Sequence, residues 1–214
     1  MTKRVAAVVA ALAVLAALVV FQTRGGDGPS PGVRLLRQAD GSMVLADTSA
    51  TAPVLDLYED FDCPVCKELH ARVDATMRRL AAEGKVKVVY HPITIFQDEP
   101  MRSNSIRAAA AARCVPEASW LAFRDELYGM QPAPHGEASG FTLEELVKAA
   151  RQAGASVDQC VTSQTYAEDH LKQSARIRLE GTPTVVLDGR MLGDEAFDPR
   201  ALETAITGGS GVTV

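Results

Sequence analysis

The chain has 214 residues, a formal net charge of -5 and a pI near 5.4. Its charges are scattered and there is no basic footprint, so nucleic acid is excluded as an expected partner. Nothing repeats internally, and no long low-complexity tract interrupts the sequence.

Lys3 and Arg4 precede seventeen uninterrupted apolar residues, 5–21, and the chain then turns polar at Gln22-Thr23-Arg24. As a helix this run is about 26 Å long, slightly short of a hydrocarbon core of about 30 Å. It reads as a signal sequence or a short anchor. The triplet Ala11-Leu12-Ala13 lies inside the run and Val19-Val20-Phe21-Gln22 is a poor cleavage site, which favours an uncleaved anchor. A basic pair ahead of the segment keeps the N-terminus in the cytoplasm, so the reading is a single-pass cell-membrane protein with its bulk extracytoplasmic. Residues 1–24 are the signal-anchor segment and 25–32, rich in Gly and Pro, a linker. The remainder, 33–214, suffices for one well-packed domain and is too short for two.

Within that domain, residues 33–38 and 43–46 flank Ala39-Asp40-Gly41-Ser42, a hairpin by its Asp-Gly turn. Residues 54–58 form a short apolar run that reads as a buried strand. After Pro64 the spacing turns helical, with Leu69, Val73, Met77 and Leu80 on one face. Another strand is expected over 85–91. Residues 93–101 are irregular, and from 102 to about 178 the pattern is helical, with segments at 105–114, 116–130, 142–153 and 166–180. The third opens with the capping box Thr142-Leu143-Glu144-Glu145. Between the second and third lies a polar loop, 131–140, whose His135 reads as solvent-exposed, not catalytic. Strands return at 183–187 and 190–192, separated by Asp188-Gly189. A last helix begins at Asp198-Pro199 with Leu202 and Ile206 inward, and the tail from Thr207 reads as frayed.

The chemistry concentrates at Tyr58-Glu59-Asp60-Phe61-Asp62-Cys63-Pro64-Val65-Cys66-Lys67, where a C-x-x-C pair sits at the hinge between strand and helix. Pro64 suits the first helical turn because its missing N–H has no partner there. Cys63 then occupies the N-cap, under free N–H groups and the positive end of the helix dipole, which favours thiolate. Cys66, one turn in, is expected to be more buried and less acidic. One sulfur attacks and the other resolves. Two other readings stand beside this one. Half of a zinc site needs a second close pair of ligands, and neither Cys114 nor Cys160 has one nearby. An inert Cys63–Cys66 staple would close a very small loop. No metal and no cofactor is expected.

The order of strand hairpin, strand, helix, strand, helical block, strand hairpin and helix resembles an α/β thioredoxin-like fold with an inserted helical domain. Together with the C-P-V-C decapeptide and Gly181-Thr182-Pro183-Thr184-Val185-Val186, it resembles the DsbA-type thiol-disulfide oxidoreductases, particularly membrane-anchored actinobacterial members. The resemblance implies that Thr182-Pro183 is a cis peptide lying against Cys63 and Cys66, leaving the Thr182 backbone to pair with an extended substrate strand. It also implies a disulfide between Cys114 and Cys160; two buried free thiols are the alternative. The implied activity is a protein disulfide oxidase that acts on unfolded or reduced exported proteins. It would be reoxidised by a membrane redox partner such as a vitamin K epoxide reductase homologue. A reductase or isomerase on the same fold, or a non-catalytic redox-gated binding module, are the rivals.

Two departures matter. Val65 brings no charge and no hydrogen bond to a place where some family members carry histidine, so a less oxidising disulfide is expected. Leu57 stands where many thioredoxin-like proteins carry a strand acid. Of the nearby acids, Asp56 is expected on the face opposite Leu57; Glu59 and Asp60 are the alternatives for a proton-transfer role, and the safer reading of both is solvated loop carboxylates.

Overall fold

The computed structural model describes residues 32–48 and 50–208. The anchor expected at 5–21 and its linker as far as residue 31 lie outside the described residues, as does the tail beyond 208. Among the described residues no helix is long and apolar enough to cross a membrane.

Strands β1 (Val33–Arg37) and β2 (Met43–Asp47) form the N-terminal hairpin, followed by β3 (Val54–Glu59). Helix α1 (Pro64–Ala82) leads to β4 (Lys87–Pro92). Strands β5 (Thr184–Leu187) and β6 (Arg190–Met191), a short 3-10 turn and α7 (Pro199–Gly208) close the domain. Six strands make one mixed sheet in the order β1-β2-β4-β3-β5-β6. β3 is central, parallel to β4 and antiparallel to β5. Its period-2 pattern sends Leu55 and Leu57 into the core while Val54, Asp56 and Tyr58 are half-buried. Leu57 aligns with Tyr90 on one side and Val185 on the other, so an acid there would have lain among apolar neighbours. Asp56 faces the other way and meets His91 Nε2 at 2.8 Å.

α1 buries the stripe predicted for it, Leu69, Val73, Met77 and Leu80, together with Cys66 and Ala81. It packs on β2 and β4 and against α7. That seats the hinge at the carboxyl end of the central strand.

Between β4 and β5 the chain makes five helices: α2 (Met101–Cys114), α3 (Glu117–Gly129), α4 (Leu143–Gln152), α5 (Asp158–Thr162) and α6 (Ala167–Ser174). Ala108 to Ala112 are all buried, small side chains that allow close approach of neighbouring helices. The capping box of α4 is formed in both directions: Glu145 N–H donates to Thr142 Oγ1 and Thr142 N–H donates to Glu145 Oε2. α3 contacts β1, and its Trp120 ring lies 5.4 Å from Tyr90. The insertion and the sheet therefore share one core.

Among the departures from expectation, three stand out. The helix expected to reach 180 stops at Ser174, because residues 176–180 alternate exposed and half-buried with a period of two. α5 was not anticipated; five residues give too little periodicity to read. The C-terminal helix runs on to Gly208, its last turn pinned by buried Ile206.

Candidate functional site

β3 ends at Glu59, and a tight turn, in which Cys63 N–H donates to Asp60 O at 3.0 Å, delivers the chain into α1. Cys63 is the N-cap in extended conformation with Pro64 at the first helical position. Its own carbonyl accepts from Lys67 N–H, so the helical ladder starts at the cysteine. Both sulfurs are free thiols, and both residues are buried. Across from them the cis Thr182-Pro183 peptide brings Thr182 O to 3.3 Å from Cys63 Sγ. The Thr182 hydroxyl is buried. Val65, by contrast, is 45% exposed beside the site.

The two thiols differ in acidity. A hydrogen bond from the Cys66 thiol, outweighing burial, brings Cys63 down to about 6; Thr182 and the Cys66 and Val65 N–H groups add to it. Burial pushes Cys66 well above the ordinary range, reinforced by its bond to Cys63 and by the Cys63 charge. Asp60 N–H, 3.5 Å from Cys66 Sγ, is its main-chain donor.

The loop carboxylates correct the sequence reading: Glu59, Asp60 and Asp62 are not solvated but at most 1% exposed. Each has partners contributed by the insertion. Arg124 of α3 donates from Nε and Nη2 to both oxygens of Glu59, at 2.8 and 2.7 Å, and from Nη1 to Asp74 of α1 at 2.6 Å. Tyr128 OH adds a 2.8 Å bond to Glu59. Arg124 is itself enclosed, 4.7 Å above the Tyr90 ring. Among the described residues no such cation pairs with Asp60; Ser105 Oγ, Ile95 N–H and Asp62 N–H donate to it. Burial lifts Asp60 to about 7 against those bonds. Asp62 is lifted by burial to about 6, opposed by Asn104 and His135.

The 131–140 loop also closes on the site. Gln131 Nε2 donates to Phe61 O and Cys63 O, at 2.8 and 3.0 Å. His135 is exposed as expected, yet its Nε2 is 3.9 Å from Asp62 and its ring packs on Phe96. Arg124 was legible in principle: with Trp120 and Leu127 it falls on the inward stripe of α3. Nothing local marks Gln131.

Cys114, at the end of α2, and Cys160, in α5, are joined by a disulfide that closes a separation of 46 residues. His70, Asp74 and Asp125 come together as a potential ligand cluster, but Arg78 pairs with both aspartates and Arg124 with Asp74. Those cations already neutralise the site, which leaves it poorly suited to another.

A C-x-x-C hinge at the end of a central strand, opposed by a Thr-Pro loop and with helices spliced between β4 and β5, defines a thioredoxin-like domain with a helical insertion. The chain belongs to the thioredoxin family, whose description, Thioredoxin, matches residues 39–207. Among solved structures it is similar to the disulfide bond oxidoreductase DsbG of Mycobacterium tuberculosis. The two are 27% identical, with TM-score 0.69, over 79% of this chain and 88% of that one. It is also similar to oxidised DsbA of M. tuberculosis, 26% identical with TM-score 0.67 over 82% and 91%. The MdbA thiol-disulfide oxidoreductase of Corynebacterium matruchotii shares the fold, at 24% identity and TM-score 0.67 over 81% and 93%. Among curated proteins the serine/threonine-protein kinase PknE of M. tuberculosis matches at 27% over 164 residues, 70% of this chain. The chain spans 29% of that kinase's length.

Proposed function

We propose that this protein is an extracytoplasmic thiol-disulfide oxidoreductase that works as an oxidase, donating the Cys63–Cys66 disulfide to reduced exported proteins. The observation that carries the reading is the opposed acidity of the two thiols, Cys63 brought down to about 6 and Cys66 pushed up. A stabilised thiolate lowers the free energy of the reduced form, which makes the disulfide the better oxidant and Cys63 the better leaving group.

In the first step a substrate thiolate attacks Cys63 Sγ, a substrate–Cys63 bond forms, and the Cys63–Cys66 bond breaks with its electron pair on Cys66. A second substrate thiolate then attacks the substrate sulfur, forms the substrate disulfide and expels Cys63 as thiolate. Thr182, whose carbonyl faces Cys63, is the backbone group placed to pair with an extended substrate strand. Pro64 holds the helix start, Pro183 shapes the loop, and exposed Val65 lies where substrate passes. Residues 5–21 anchor the domain at the membrane. A quinone-linked membrane protein, such as a vitamin K epoxide reductase homologue, restores the disulfide.

The test is the equilibrium of the Cys63–Cys66 pair against graded glutathione buffers. An oxidase is reduced readily by glutathione, and its Cys66→Ala variant accumulates mixed disulfides with exported proteins. A pair that stays oxidised in all but the most reducing buffers sinks the oxidase and makes the protein a reductase or isomerase. A pair that never exchanges leaves only a binding module.

A further inference from the structure

We propose that Gln131, in the loop between α3 and α4, is a positioning residue for the redox pair: by bonding to the main chain on both sides of Cys63, it holds the sulfur where the first N–H groups of α1 stabilise its thiolate. This rests on the pair being redox-active, as proposed above.

The turn that delivers Cys63 is held by few bonds of its own. Cys63 N–H to Asp60 O closes it, and the buried Phe61 ring anchors it, edge-on to Tyr128 at 5.6 Å. Pro64 follows directly and has no N–H to contribute. The carbonyls of Phe61 and Cys63 must therefore be satisfied from elsewhere. Lys67 N–H, the first rung of the helix, reaches Cys63 O at 3.1 Å. Gln131 Nε2 supplies the rest, at 2.8 Å from Phe61 O and 3.0 Å from Cys63 O. A side-chain amide nitrogen carries two hydrogens, so one group can serve both acceptors. Among the described residues no other side chain donates to a main-chain carbonyl of the turn.

The two accepting carbonyls lie on either side of the N–Cα–C unit of Cys63. A single nitrogen bonded to both braces the two soft torsions of that residue, held at φ -77° and ψ 120°. This matters because Cys63 stands at the N-cap, and rotation about its ψ turns Sγ relative to the Cys66 and Val65 N–H groups that help to bring the thiol down. The same bonds act electrostatically in the same direction. Carbonyl oxygens near a thiolate oppose its charge, and amide hydrogens on those oxygens offset them. The titratable groups facing Cys63 are Cys66 from α1 and Asp60 and Asp62 from the turn. Glu59 of β3 is committed to Arg124, Asp62 lies near His135 and Arg107, and Thr182 and Pro183 bring no charge. All of these remain when Gln131 is replaced. A change at Cys63 then reports the brace.

The test is the ionisation of Cys63 in the reduced full-length chain, followed by the ultraviolet absorbance of the thiolate from about pH 4 to 9, together with the glutathione equilibrium. Gln131→Ala removes both bonds and should cut the thiolate-to-thiol ratio at a given pH by roughly fivefold. The constant for reduction of the disulfide by glutathione, read at about pH 8, should fall by the same factor. Gln131→Glu keeps the size and reach but sets acceptors against two carbonyls, so it should lower both quantities further than Gln131→Ala. Urea unfolding of the same variants separates the two roles a brace can have. Variants that lose stability while Cys63 ionises and exchanges as in the wild type overturn the inference, and so does a Gln131→Glu chain with wild-type ionisation. If Gln131→Ala does not fold, Gln131→Met, which fills the same space without donors, is read in its place with the same expectation. A wild-type pair that never exchanges overturns the redox reading, and the ionisation series then decides the role of Gln131 by itself.

Discussion

The molecule holds two pairs of cysteines in opposite circumstances. Cys63 and Cys66 lie three residues apart at a helix start, while Cys114 and Cys160 are 46 apart and tie the end of α2 to α5. The first pair is surrounded by groups that respond to charge: N–H donors of the first helical turn, the Thr182 side chain, and the buried Asp60 and Asp62. The second joins two helices of the insertion, at the edge of its apolar packing. Identical side chains thus serve exchange in one place and cross-linking in the other. What separates them is whether the surroundings favour one sulfur as an anion.

Four changes would break or sharpen that contrast. Cys63→Ala should abolish disulfide exchange altogether, read as loss of glutathione reactivity; residual turnover at Cys66 alone would dissolve the asymmetry. Replacing Cys114 and Cys160 together by alanine should cost about 4 kcal/mol of stability in the chain-entropy view. Urea unfolding measures this, and the glutathione equilibrium of the hinge pair should stay where it was. The third expectation concerns pH. Because the folded Cys63 thiol ionises near 6 and an unfolded one near 9, its contribution to the reduced protein is fully present above 9 and lost as pH falls through 6. Stability of the reduced wild type relative to Cys63→Ala should therefore grow between those values, whereas the bonded pair, having no thiol to titrate, adds no slope. The smallest effect is expected of Val65→His, which supplies a donor beside the thiolate. It should make the disulfide more oxidising by roughly tenfold in the exchange constant, about 30 mV; no shift would mean that the helix N-terminus already saturates Cys63.

Much of this was legible in the sequence because it is local. Pro64 after Cys63, the switch from a strand run to the Leu69–Val73–Met77–Leu80 stripe, and the Asp-Gly turns each signal through neighbouring residues. The acids at 59 and 60 depart from the sequence reading for the opposite reason. Their partners, Arg124 and Ser105, are 65 and 45 residues away in the chain, and a run of acids after a strand reads as a wet loop until the insertion folds over it. The spacing of Arg124 with Trp120 and Leu127 on α3 carried the missing clue, since an arginine on an apolar stripe needs a buried counter-charge. α5 escaped because five residues hold barely more than one turn.

Arg124 also bears on how such domains diversify. It is the sole insertion residue that joins Glu59 of the sheet and Asp74 of α1 in the described ion pairs. Splicing out the insertion to recover a minimal domain would strand the Glu59 carboxylate in the core, at several kcal/mol, and leave Asp74 to Arg78 and His70 alone. The insertion is therefore a keystone, not an ornament. A chimera carrying a different insertion should fold only when the graft brings its own arginine to that spot, or when Glu59 is exchanged for a neutral residue at the same time.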